Sequence, residues 1–137
     1  MYIGASSMKR KNEKMMISFI KKLLPKAKAL NPRIATPDLL VRDNIFVDYY
    51  LEVENRKIIL EYNGHQHYHP VVFGGQLNEA RQKYVEQAKR DQWLRIYCKK
   101  NNILLIEVDG RLVRGSNIKV YLINVLNREK IANLALK

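Results

Sequence analysis

The stretch FVDYYLEVENRKIILEYN, residues 46–63, constrains the fold more than any other part of the chain. Apolar and polar residues alternate on either side of Glu54-Asn55, a pair suited to a two-residue hairpin turn. Such a turn fixes the register, because Val53 must then face Arg56 and every other pairing follows. Strands are expected over about 45–53 and 56–63. One face would carry Phe46, Asp48, Tyr50, Ile59, Glu61 and Asn63. The other would carry Val47, Tyr49, Leu51, Val53, Ile58, Leu60 and Tyr62, a continuous core face. Asp48 then lies directly opposite Glu61, with Asn63 farther along the same side.

Two carboxylates facing each other across a strand pair repel. A cation between them removes the penalty. Mg²⁺ suits oxygen ligands, keeps several waters and leaves room for phosphate oxygens. The Asn63 amide oxygen is a neutral third ligand in this reading. The blander alternative is a solvated sheet face with Lys57 or an arginine as partner.

Helical spacing predicts a first helix over 8–24, with Met16, Phe19, Ile20, Leu23 and Leu24 on one arc and Arg10, Lys11, Lys14, Lys21 and Lys22 on the other. Pro25 stops it. Glu13 sits at the edge of the apolar arc, either as a site residue or as a first-turn carboxylate favoured by the helix dipole. Residues 30–44 are turn-rich, with a short strand expected around Ile34; Pro37-Asp38 is a proline–aspartate pair in a loop and is set aside. A second helix is expected over 77–100, where Leu77, Ala80, Tyr84, Ala88 and Cys98 form a stripe centred on Asp91. An unpaired charge there would be expensive, so Asp91 either belongs to a site or pairs with Arg95 one turn on. Trp93, opposite the stripe, is expected either to pack on the last helix or to contact a partner or a base. ILLIEV, residues 103–108, reads as a buried strand closed by Asp109-Gly110. Ser116 would cap a last helix reaching about residue 134. The order is α-β-β-β-α-β-α: a mixed α/β domain with an antiparallel hairpin in a mixed sheet flanked by helices.

The length of 137 residues fits one domain spanning 1–137, with loose ends at 1–7 and 135–137. A net charge of +12 points to a polyanionic partner, DNA or RNA before an anionic membrane surface. Cys98 is the only cysteine, which excludes intramolecular disulfides and thiolate zinc clusters and fits a reducing cytoplasm. No apolar run approaches the roughly 20 residues of a membrane span. His65, His67 and His69 alternate, but with no further histidine and Pro70 after the third, one of them acting on water or phosphate is preferred to structural zinc.

ILEYNGHQHYHPVVFGG followed by RDQWLRIYCKKNNILLIEV resembles the very-short-patch-repair-like branch of the PD-(D/E)xK nucleases, which includes phage-borne, homing-type endonucleases with the EDxHD motif. The likeness runs over about residues 12–108. It implies a restriction-endonuclease-like core and hydrolysis of DNA phosphodiesters with Mg²⁺, or Mn²⁺ in its place; a monomer and a homodimer both stay open. Under it Glu13 matches the helix glutamate, Asp48 and Glu61 the strand acids that hold the metal, His67 the histidine of Gln66-His67-Tyr68, and Asp91 the acid of the later helix. Asn63 stands where many relatives carry Asp, and Leu94 where a Lys is frequent. Arg10, Lys11, Lys14, Gln66, Arg81, Lys89, Arg90 and Arg95 are the expected nucleic-acid contacts. The alternative readings are a non-catalytic nucleic-acid-binding protein that kept the fold, or a nuclease acting on RNA.

Overall fold

The computed structural model describes residues 3–36, 44–64 and 77–131. Among these described residues nine elements follow in order: α1 (Ile3–Leu23), β1 (Lys28–Ala29), β2 (Arg33–Ala35), β3 (Asn44–Phe46), β4 (Tyr49–Val53), β5 (Arg56–Asn63), α2 (Leu77–Lys100), β6 (Ile103–Asp109) and α3 (Asn117–Arg128). β1, β4, β5 and β6 form a four-stranded sheet in that order, and β2 pairs with β3 in a separate two-stranded sheet.

The hairpin has the expected register. Val53 pairs with Arg56 and Tyr49 with Leu60, antiparallel. Glu54 and Asn55 both take positive φ, 52° and 63°, as a type I′ turn requires. β6 joins the other edge of β5 in parallel, after the α2 crossover, with Glu107 beside Glu61. β5 is thus central, and it is buried from Ile58 to Asn63.

Alternation along β5 sends Ile58, Leu60 and Tyr62 into one core with Leu51, Val53, α1 residues Met16, Ile20 and Leu23, and α3 residues Ile118, Leu122 and Leu126. Ile59 points the other way, into a second core with Ile34, Ile45, Val47, Leu94, Cys98 and Ile103. The sheet is therefore covered by α1 and α3 on one side and by α2 with the β2–β3 pair on the other.

Several expectations are corrected. The strand foreseen over 45–53 is broken at Asp48, where the chain bends between β3 and β4. The break resets the alternation, so Val47 packs on the α2 side and Phe46 is left 63% exposed. In α2 the buried positions are Ala80, Asp91, Leu94 and Cys98, whereas Ala88 is exposed; Leu94 is core, at 2% exposure. Trp93 stacks on Tyr97 at 5.0 Å between ring centroids and packs against the α2-side core, away from the core that holds α3. α1 begins at Ile3, earlier than expected, which places Glu13 mid-helix and removes the first-turn explanation for it. Ser116 makes no side-chain capping hydrogen bond. α3 ends at Arg128 because Lys130 turns left-handed, with φ 57°, and the Ile131 N–H returns to Leu126 O at 3.0 Å. Arg56 braces that end, donating to Glu129 O at 2.6 Å and to Glu129 Oε1 at 3.1 Å. Among the described residues, no helix is long and apolar enough to cross a membrane.

Candidate active site

β4 stops at Tyr49 while β5 runs on to Asn63, so the first backbone groups of β5 beyond the ladder need other partners. Asp48 supplies one for β5, and Glu61 in turn takes an N–H of the bend. The Asp48 N–H donates to Glu61 Oε2 at 2.9 Å, and Asp48 Oδ2 accepts the Tyr62 N–H at 2.6 Å. The two carboxylates thus prolong the hairpin by side-chain bonds where backbone pairing ends. The register brings them together as the sequence foretold, but on a buried face: Glu61 is 4% exposed and Asn63 3%. The face is not solvated at Glu61, but the arginine partner of the blander alternative is present, because Arg90 pairs with Glu61.

Asp48 also reaches the α1 side. Glu13 lies close enough to Asp48 for that carboxylate to raise its pKa, so the bend at Asp48 brings a helix on one face of the sheet near an acid on the other. From α2, Arg90 closes the group. Its Nη1 lies 2.7 Å from Glu61 Oε1 and 3.2 Å from Asp91 Oδ1, and its Nη2 donates to Phe46 O at 2.8 Å. Gln87 donates to Asp91 Oδ1 at 2.8 Å. Glu13, Asp48, Glu61 and Asp91, drawn from α1, the bend, β5 and α2, form one contiguous network, with Arg90 touching the last two.

The electrostatics follow from that crowding. Burial, then the Asp48 charge, pushes the Glu61 carboxyl up to about 7, against the opposing pull of Arg90 and the Asp48 N–H. Burial also raises Glu13, again with Asp48 next in weight; Lys9 pulls the other way. Burial works against the Arg90 cation, but Glu61 and then Asp91 outweigh it and its pKa is raised. Burial, then Glu107 and Glu61, pushes the Cys98 thiol up to about 12, too high for a thiolate nucleophile at neutral pH.

Asn63 sits two residues beyond Glu61, and its Nδ2 lies 3.5 Å from Glu107 Oε1. Glu107 is the acid that sequence reasoning passed over. It neighbours Glu61 in the parallel register, and Arg95 clasps it, with Nε 3.0 Å from Oε2 and Nη2 2.9 Å from Oε1. A lone acid inside the apolar run ILLIEV was the available signal. Arg10, Lys11, Lys14, Arg81 and Lys89 are exposed, as a phosphate-contacting role needs, while Arg90 faces inward. Gln66 and His67, together with His65, His69 and Pro37-Asp38, lie outside the described residues.

Among the described residues, no three His, Cys, Asp or Glu side chains meet closely enough to coordinate one ion. The donor chemistry nevertheless suits a hard divalent cation: Glu13, Asp48 and Glu61 offer oxygen only, and burial first, then the Asp48 charge, raises both Glu13 and Glu61. What stands against immediate binding is that both Glu61 oxygens are engaged, one by Arg90 and one by the Asp48 N–H. No protein-family model matches the chain, and no curated protein or solved structure matches it either.

Proposed function

We propose that this chain is a divalent-cation-dependent endonuclease that hydrolyses DNA phosphodiesters, of the very-short-patch-repair-like branch of the PD-(D/E)xK superfamily. The observation that carries the reading is the convergence of Glu13, Asp48, Glu61 and Asp91, from four separate parts of the chain, on one end of the central strand. Closing the hairpin accounts for Asp48 and Glu61 but gives no reason to gather Glu13 and Asp91 beside them, since like charges buried together cost stability. A net charge of +12 and the exposed basic side of α1 favour a nucleic-acid partner.

Asp48 and Glu61 would hold Mg²⁺, or Mn²⁺ in its place, with the Asn63 amide oxygen and Glu13 at hand. A bound divalent ion would polarise the scissile phosphate and lower the pKa of a water. Asp48 would keep Glu61 in place through its N–H, and its own carboxylate in place through the Tyr62 N–H. Asp91, fixed by Gln87 and Arg90, would orient a neighbouring donor. His67 is the candidate for moving a proton to the leaving oxygen.

Supercoiled plasmid incubated with Mg²⁺ or Mn²⁺ tests the reading. Wild type should nick or linearise it, and Glu61→Gln should bind DNA without cutting. Full cleavage by both Glu61→Gln and Asp48→Asn would remove these residues from the chemistry. One observation favours a second reading, a nucleic-acid-binding protein without catalysis: Arg90 already neutralises Glu61 at 2.7 Å. DNA binding with no cleavage under either metal would select it.

A further inference from the structure

Arg90 occupies a place that the expected phosphate-contacting role does not explain. Its side chain is 20% exposed, and three acceptors hold it: Glu61 Oε1 at 2.7 Å, Asp91 Oδ1 at 3.2 Å and Phe46 O at 2.8 Å. A buried carboxylate with no counter-charge is strongly destabilising, so Arg90 accounts for how Glu61 survives among Asp48, Glu13 and Asp91. Any other cation approaching Glu61 Oε1 must displace the guanidinium.

We propose that Arg90 is a resident counter-cation that gates this site, holding Glu61 in the free protein and moving to a phosphate oxygen of the bound strand when a divalent ion takes its place. The inference rests on the proposed nuclease reading and assigns that site its regulation. Arginine suits both positions, because its planar fork matches a carboxylate and a phosphate equally well. The exchange couples the two ligands. An ion binding alone must leave Arg90 without its Glu61 partner, whereas an ion binding with nucleic acid releases Arg90 onto a phosphate. Free protein therefore binds the ion weakly, and nucleic acid strengthens that binding, with the reciprocal effect required by linkage. The device keeps the cutting centre unarmed until a phosphate backbone is present.

Calorimetric titration of Mn²⁺ into the full chain, without nucleic acid and at low salt, reads this directly. Arg90→Gln should bind Mn²⁺ about tenfold tighter than wild type, within the usual range for coupled sites, and the gain should vanish in Arg90→Gln/Glu61→Gln. Binding by Arg90→Gln no tighter than wild type overturns the proposal. Should that variant fail to fold by circular dichroism, the wild-type protein answers instead. The Arg90 Nε–H resonance, assigned with Arg90→Lys, should move toward solvent-exposed arginine values as Mg²⁺ is added together with a short DNA duplex; a resonance unmoved at saturation overturns the proposal. Plasmid cleavage separates the two readings. A tenfold gain with no cleavage removes the nuclease and leaves only the exchange of Arg90 for an ion at Glu61, while cleavage with no gain removes only the gate.

Discussion

Asp48 and Glu61 hold each other through main-chain groups: the Asp48 N–H donates to Glu61 Oε2 at 2.9 Å, while Asp48 Oδ2 takes the N–H of Tyr62, the residue after Glu61, at 2.6 Å. A residue proposed for chemistry therefore also closes the hairpin, and the two roles can be separated. Asp48→Ala leaves the Tyr62 N–H without its acceptor and should cost about 1–3 kcal/mol. Asp48→Asn keeps an acceptor oxygen and relieves repulsion from Glu61 and Glu13, so it should cost less than about 1 kcal/mol while still abolishing cleavage. Urea denaturation of both variants checks this; equal losses would show that the Tyr62 bond carries no weight.

Gly110 marks the exit of β6 and cannot carry a side chain. A Cβ there would lie 2.8 Å from Asn63 O and 2.9 Å from the Tyr62 ring, and the Gly110 N–H donates to that same Asn63 O at 2.7 Å. The neighbours are strand backbone and a buried ring held by its own bond to Val113 O, so neither yields easily. Gly110→Ala should cost about 1–3 kcal/mol and displace Asn63. Gly115→Ala is the contrast: its Cβ would meet nothing within 4 Å, and only the φ of +59° is unfavourable, a penalty of about 1 kcal/mol. Thermal denaturation should rank the first variant as the less stable; the reverse order would refute the steric argument.

The hairpin was legible because a two-residue turn plus alternation leaves one register, and that register alone brought Asp48 to Glu61. The same logic misplaced Val47 and Phe46, since alternation carries no mark of the bend at Asp48. Helical spacing found Asp91 on the inner side of α2 but chose Ala88 over Leu94, because a small residue reads as apolar whether or not it is covered. Arg90 was readable as a cation and not as a buried one: adjacent residues on a helix diverge, and only a long side chain curling back reaches Glu61. The stop of α3 depends on Lys130 turning left-handed, a conformation that a non-glycine residue seldom signals.

Crowded acids set a pH dependence of stability. Glu61 is held at about 7 in the folded protein against 4.5 for the free group, so between those values the folded state keeps a proton that the unfolded state has lost. Stability from this group is full below the unfolded value and declines as pH rises toward and through 7. The decline from Glu61 is at most about 3.4 kcal/mol at 1.36 kcal/mol per unit. In EDTA, the melting temperature of wild type relative to Glu61→Gln should fall between pH 5 and pH 8. A constant difference across that range would mean that Glu61 is ionised throughout.

The exposed cations define how nucleic acid would be held. α1 turns Met16, Ile20 and Leu23 inward at 0% exposure, which leaves Arg10, Lys11 and Lys14 in solvent. Each phosphate contact releases a counterion and steepens the salt dependence of binding by about 0.9 in the log–log slope for duplex DNA. Replacing all three by Gln should therefore flatten that slope by roughly 2 to 3. Arg95 is different: it is clasped to Glu107, and giving a phosphate its guanidinium means breaking that fork. Arg95→Gln should flatten the slope by less than about 0.9. Fluorescence anisotropy with a labelled duplex over a salt series measures both. A triple variant with an unchanged slope would move the DNA-binding surface off α1 and onto other basic residues, with Arg81 and Lys89 of α2 the next to replace.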